Sequence, residues 1–235
     1  MKAWIFPRRS QIGTVVLAVL LVAATATATI ALTDHAPETV ASAHDDAVRV
    51  SVIGDSYSSG FDNYMVWPSL VAAGSQLSVS NEAFPGTGYV GGTEHNGPFA
   101  AQIDKALASK PAVIVVFGGM SDTLKPDGLI TQSASDLFME LIRRAPTVKL
   151  MVLGPIWHTD PVPEPFIRLN SAVASAASAT HTTYIPLIQE KWLVGDGLIQ
   201  DDGFTPTDEG QSVLARQLGP ILLGDIRKQD RAAPS

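Results

Sequence analysis

The stretch VRVSVIGDSYSSG, Val48 to Gly60, decides the fold. β-Branched residues through Ile53 read as a strand, and Gly54 with Asp55 breaks it at a turn. Four more runs have the same character: LSVSN (77–81), AVIVVFGG (112–119), VKLMVLG (148–154) and TTYIPL (182–187). Between them lie YMVWPSLVAAG (64–74), GPFAAQIDKALASK (97–110), GLITQSASDLFMELIRRA (128–145) and EPFIRLNSAVASAASAT (164–180), and QSVLARQLGPILLGDI (211–226) follows the last. Their apolar residues recur at spacings of three and four, the helical period. Strand and helix alternating in this way predict an α/β fold of three layers, a five-stranded parallel sheet with helices on both faces. In such sheets ligands bind beyond the carboxyl ends of the strands, so those ends are where functional residues are expected.

Upstream of this region the chain changes character. Lys2, Arg8 and Arg9 precede IGTVVLAVLLVAATATATIAL (12–32), an apolar segment with small residues such as Ala26 and Ala28 near its end. It reads either as a cleaved signal peptide or as a retained anchor of about 20 residues. Both place the globular part outside the cytoplasmic membrane, secreted or anchored to it. Residues 33–47, polar and aperiodic, read as a linker; 48–228 as one domain; and 229–235 as a tail. The net charge is −7 and no basic cluster follows the first ten residues, so nucleic acid is not an expected partner. With no cysteine, disulfides, thiolate catalysis and cysteine-ligated metals are excluded.

Four loops leave the carboxyl ends of the strands. The first, IGDSYSSG, sets Ser56 at a strand-to-helix turn, where a serine serves either as an exposed nucleophile or as an ordinary helix N-cap. The second, NEAFPGTGYVGG, is rich in glycines that let a backbone N–H approach a ligand. The third, FGGMSD, carries Ser121 and Asp122, and the fourth, GPIWHTDPVPEP, carries His158.

These loops make the chain resemble the SGNH (GDSL-type) hydrolases. Gly54, Asp55 and Ser56 match the family's first block, and Gly86, five residues after Asn81, matches the second. Gly119, Met120, Ser121 and Asp122 match Gly-x-Asn-Asp with Ser121 in place of Asn; Asp202, Gly203, Phe204, Thr205 and Pro206 match Asp-x-x-His-Pro with Thr205 in place of His. The resemblance runs from about Val48 to the last helix and implies the flavodoxin-like strand order. It implies hydrolysis or transfer of acyl esters without a cofactor or metal. Ser56 would then be the nucleophile; Ser56, Gly86 and Ser121 would supply the oxyanion hole; and Asp202 would orient a base. A threonine hydroxyl does not accept a proton at neutral pH, so Thr205 makes that catalytic position degenerate.

Of the five histidines, His35 and His44 fall in the linker and His181 precedes the fifth strand, at the opposite edge of the sheet. His158, with Asp160 close in sequence to orient it, is the candidate substitute base, ahead of His95 in the glycine-rich loop and of Asp202 acting directly on Ser56. The expected substrate is a small-molecule or glycolipid ester, an acylated lipid or glycan of the cell envelope. A catalytically impaired domain that binds such a ligand, or an acyltransferase using the same serine, are the alternatives. Trp67 is expected in the core at a helix start, and Asp208 and Glu209 at the N-terminus of the last helix.

Overall fold

The computed structural model describes residues 47–232. The leader, the linker as far as Asp46 with His35 and His44, and the last three residues of the tail lie outside the described residues.

Five strands form one sheet: Val48–Gly54 (β1), Leu77–Asn81 (β2), Val113–Phe117 (β3), Lys149–Leu153 (β4) and Thr183–Ile185 (β5). Their order is β2-β1-β3-β4-β5 and every pairing is parallel. This is the flavodoxin-like order expected from the sequence. β1 and β2 have the predicted bounds. β3 and β4 are shorter than read because Gly118, Gly119 and Gly154, at their ends, leave the ladder.

Alternation along the central strands fills two cores. Ile53, Ile114, Val116 and Val152 pack on one face beneath Ile103–Ala108 (α3), Asp127–Arg144 (α4) and Glu164–Ala179 (α5). Val50, Val52, Val115, Phe117, Met151 and Leu153 pack on the other beneath Trp67–Ala73 (α2) and Asp208–Ala232 (α6). A four-residue helical turn, Ser56–Ser59 (α1), completes the set. Trp67 is fully buried at the start of α2, followed by Pro68 in the first turn, as expected. α6 begins at Asp208, three residues before the apolar run suggests, and continues past Pro220 to Ala232.

The strand order reverses direction between β1 and β3, so the loops following these two strands part there. The crevice left between them is the expected ligand position in an open parallel sheet. Ser56 and the segment Gly118–Asp122 stand on its two sides.

Candidate active site

β1 ends flush against β3: Gly54 is in register with Phe117, and a Cβ on Gly54 would lie 2.5 Å from the Phe117 carbonyl oxygen. The chain then enters α1, whose N-cap is Asp55, not Ser56. Asp55 Oδ1 accepts from Tyr57 N at 3.0 Å. Ser56 is thus the first helical residue, half-buried, and no described residue bonds its hydroxyl. The capping alternative for this serine is already satisfied by its neighbour.

Asp55 also reaches across the crevice. Its Oδ2 accepts from Gly119 N at 2.8 Å and Met120 N at 3.0 Å, tying the third loop to the first. Burial pushes its carboxyl up to about 6 against these three backbone donors. A second buried carboxylate repeats the device. Asp122 accepts from Tyr89 N at 2.6 Å, Gly91 N at 2.7 Å and, at 3.3 Å, Val90 N, tying the second loop to the third. Its carboxyl too is raised by burial. The side chain of Gln102 clamps β1 from below, bonding both Gly54 N and Gly54 O at 2.9 Å.

On this frame two backbone donors stay unused. Neither Ser56 N–H, at the first helical position, nor Gly86 N–H, at φ +73°, is accepted by a described residue. Ser121 is exposed and backs onto the second loop, with its Cβ 3.1 Å from where a Gly91 side chain would begin.

The segment holding Asp202 and Thr205 is a tight turn closed by Gln200 N donating to Thr205 O at 2.8 Å and by a bridge between Ile199 and Pro206. Thr205 is buried, 4% exposed, and faces Asp202. Asp202 Oδ1 accepts from Phe204 N and Thr205 N, both at 2.8 Å. Partial burial raises the Asp202 carboxyl, but the Thr205 side chain, these two N–H groups and neighbouring His158 outweigh it and hold it below the ordinary range. That makes Asp202 a poor direct base for Ser56.

His158 reaches the same turn. Its Nε2 lies 2.9 Å from the Gly203 carbonyl oxygen, and its ring stacks obliquely on Trp157, 4.2 Å between centroids, with Trp157 stacked in turn on Phe166. A carbonyl only accepts, so Nε2–H donates to it, and in the neutral ring it is Nδ1 that keeps the lone pair. The expected partner Asp160 is not involved, because it pairs with Lys191 on the segment after β5. Proximity in sequence misled here, since the loop turns after Trp157. His95 is exposed in the second loop, and His181 sits at φ +55° ahead of β5. Trp192 packs against the core beneath α6.

Sequence reasoning did not assign the structural work of Asp55, Asp122 and Gln102. Only Asp55 left a local signal, an Asp at the N-cap position of a strand-to-helix turn; the others act across 31 to 48 residues.

A family model described as GDSL-like lipase/acylhydrolase matches residues 52–213. A GDSL lipase of Mycobacterium tuberculosis is 29% identical over 186 residues, 74% of this chain and 80% of that protein. The psychrotrophic esterase EstA from Pseudoalteromonas sp. superposes with a TM-score of 0.62 at 15% identity, over 76% of this chain and 98% of its own. The lipase/acylhydrolase from Enterococcus faecalis gives 0.57 at 18% identity, over 76% and 96%. At these identities the two structures speak to the fold, which they share.

Proposed function

The chain belongs to the GDSL-like lipase/acylhydrolase family, a family of ester hydrolases, and we propose that it hydrolyses acyl esters outside the cytoplasmic membrane with Ser56 as nucleophile. One observation carries the reading: a serine whose hydroxyl bonds no described residue follows the end of β1, where Phe84 N and Thr87 Oγ1 tie the Gly86 loop to Gly54 O, and neither Ser56 N–H nor Gly86 N–H is used by a described residue. Ser56 Oγ attacks the ester carbonyl, and the developing oxyanion takes those two N–H bonds with the Ser121 hydroxyl as a third donor. His158 takes the serine proton through Nδ1 and returns it to the departing alkoxide. Water then repeats the sequence and releases the acid. Gly203 O, holding Nε2–H, does the orienting that a carboxylate performs in a triad. The extracytoplasmic assignment draws on Lys2, Arg8, Arg9 and the apolar segment 12–32, and envelope lipids or glycans are the ester-bearing molecules in reach there.

A second reading, a domain that binds an acylated or glycan ligand without turnover, is favoured by Asp202, whose carboxylate is already engaged by the Thr205 turn. Labelling the purified full-length chain with a fluorophosphonate separates the two. Labelling that disappears in Ser56→Ala is the expected result. A folded wild-type chain that takes no label means that no base serves Ser56, and the binding reading replaces the hydrolase.

A further inference from the structure

We infer that the rim around Ser56 docks on a lipid–water interface, with Phe61, Tyr64, Met65 and Phe204 entering a neutral or zwitterionic lipid surface. Single exposed hydrophobics are ordinary, but these four are large and grouped. Phe61 is 55% exposed, Tyr64 95%, Met65 44% and Phe204 54%. The first three occupy the loop that leaves α1, one turn beyond Ser56, and Phe204 lies between Asp202 and Thr205. Leu124, 90% exposed, stands at the same edge of the sheet in the loop after β3.

The two principal loops are bound to each other by the polar side chains of Gln200, Asn63 and Asp208, which leaves the apolar side chains exposed. Gln200 Nε2 donates to Phe61 O at 2.6 Å, and Asn63 Nδ2 donates to Asp208 Oδ1 at 3.0 Å and Pro206 O at 3.2 Å. Tyr64 N donates to the same Asp208 oxygen at 3.1 Å. Groups so fixed lose little freedom when they are buried, so their burial is retained as binding. Cavities of about 450 and 580 Å³ lie between α2 and α6 and beside α4, away from Ser56.

Charge and composition select the partner. Asp62, Asp201, Asp202 and Asp208 are exposed among the apolar groups, whereas exposed Glu209 is paired with Arg216 and Lys191 with Asp160, with Lys125 exposed at the same edge. The core of a protein–protein interface is depleted in Asp and Glu, and an anionic lipid surface would repel them. At a neutral surface the rings sink about 5–10 Å while the carboxylates stay in headgroup water. Met65, next to Tyr64 in sequence, adds a flexible aliphatic chain that suits acyl groups. Tyr64, an apolar ring with a polar tip, suits the boundary. The purpose of docking, delivery of a lipid ester to Ser56, rests on the proposed hydrolase function; the adsorption itself does not need turnover.

Since the full-length chain has no cysteine, a Tyr64→Cys substitution carries one environment-sensitive fluorophore, with Met139→Cys on α4 as reference. Both are made in the Ser56→Ala background, so a chain that fails to hydrolyse is still tested for docking. With phosphatidylcholine vesicles we expect a blue shift and several-fold brightening at position 64, quenched by brominated acyl chains, and no change at 139. Adding Phe61→Ser and Phe204→Ser should raise the lipid concentration needed by about a hundredfold, roughly tenfold for each buried ring lost. The inference is overturned by an unchanged position 64 on vesicle-bound protein, or by equal shifts at both positions. It is also overturned by a shift seen only with phosphatidylglycerol, or by one that follows protein concentration without lipid, which would make the occupant a second copy of the chain.

Discussion

Asp55 is the residue on which the site turns, because one buried carboxylate caps α1 and holds Gly119 and Met120 across the crevice. Burial raises its pKa from 3.8 to about 6, so the folded chain binds this proton more tightly than the unfolded chain. The contribution is present in full below about pH 4 and declines as pH rises through about 6. Urea midpoints taken from pH 4 to 7 should therefore fall more for the wild type than for Asp55→Asn, which cannot ionise there; parallel profiles would remove Asp55 as the cause. Asp55→Asn also turns an amide N–H toward backbone donors and should be less stable at pH 7 by about 1–3 kcal/mol. His158 offers the complementary residue test. With Nε2–H fixed on Gly203 O and Nδ1 open, His158→Ala should slow fluorophosphonate labelling by about 10²–10⁴-fold while circular dichroism stays native. An unchanged rate would exclude His158 as the base.

At the scale of elements, two buried carboxylates connect three loops, and the glycines facing them are obligatory. A Cβ on Gly118 would lie 2.5 Å from the Asp55 carboxyl at φ +128°. Gly118→Ala should cost more than about 2 kcal/mol in unfolding free energy and suppress labelling of Ser56. Gly128→Ala, near the start of α4 with nothing within 4 Å, should be neutral or slightly stabilising, and equal losses in the two would refute the steric argument. The strands were legible because β-branched runs stop at glycines, and Ser56 because its turn follows the clearest strand. Trp67 with Pro68 marks the start of α2, but nothing local shows that residues 61–64 before it are held by Gln200 and Asp208, some 140 residues away. For the same reason Gly203 could not be foreseen as the partner of His158, nor Lys191 as that of Asp160. Periodicity reports which face of an element is buried, and it carries no record of which loop meets which.

The whole molecule is closed by its last helix. α6 packs against α2, and its Gln211, fully buried, accepts from Trp67 N at 2.8 Å and donates to Tyr57 O at 3.3 Å. One side chain thereby fastens the C-terminal helix to the segment that carries Ser56, across 144 and 154 residues of sequence. Contacts so distant form only once the intervening sheet is in place, and their loop-closure entropy is already spent when they do. Gln211→Met keeps the volume and removes both bonds, leaving Trp67 N–H buried without an acceptor. Unfolding free energy should fall by about 1–3 kcal/mol with an unchanged denaturant slope, since the same surface is exposed on unfolding. If the helix instead acts as a separable appendage, the slope will drop and the transition will split in two. A single transition at a lower urea midpoint therefore shows that the sheet and its closing helix unfold as one cooperative unit.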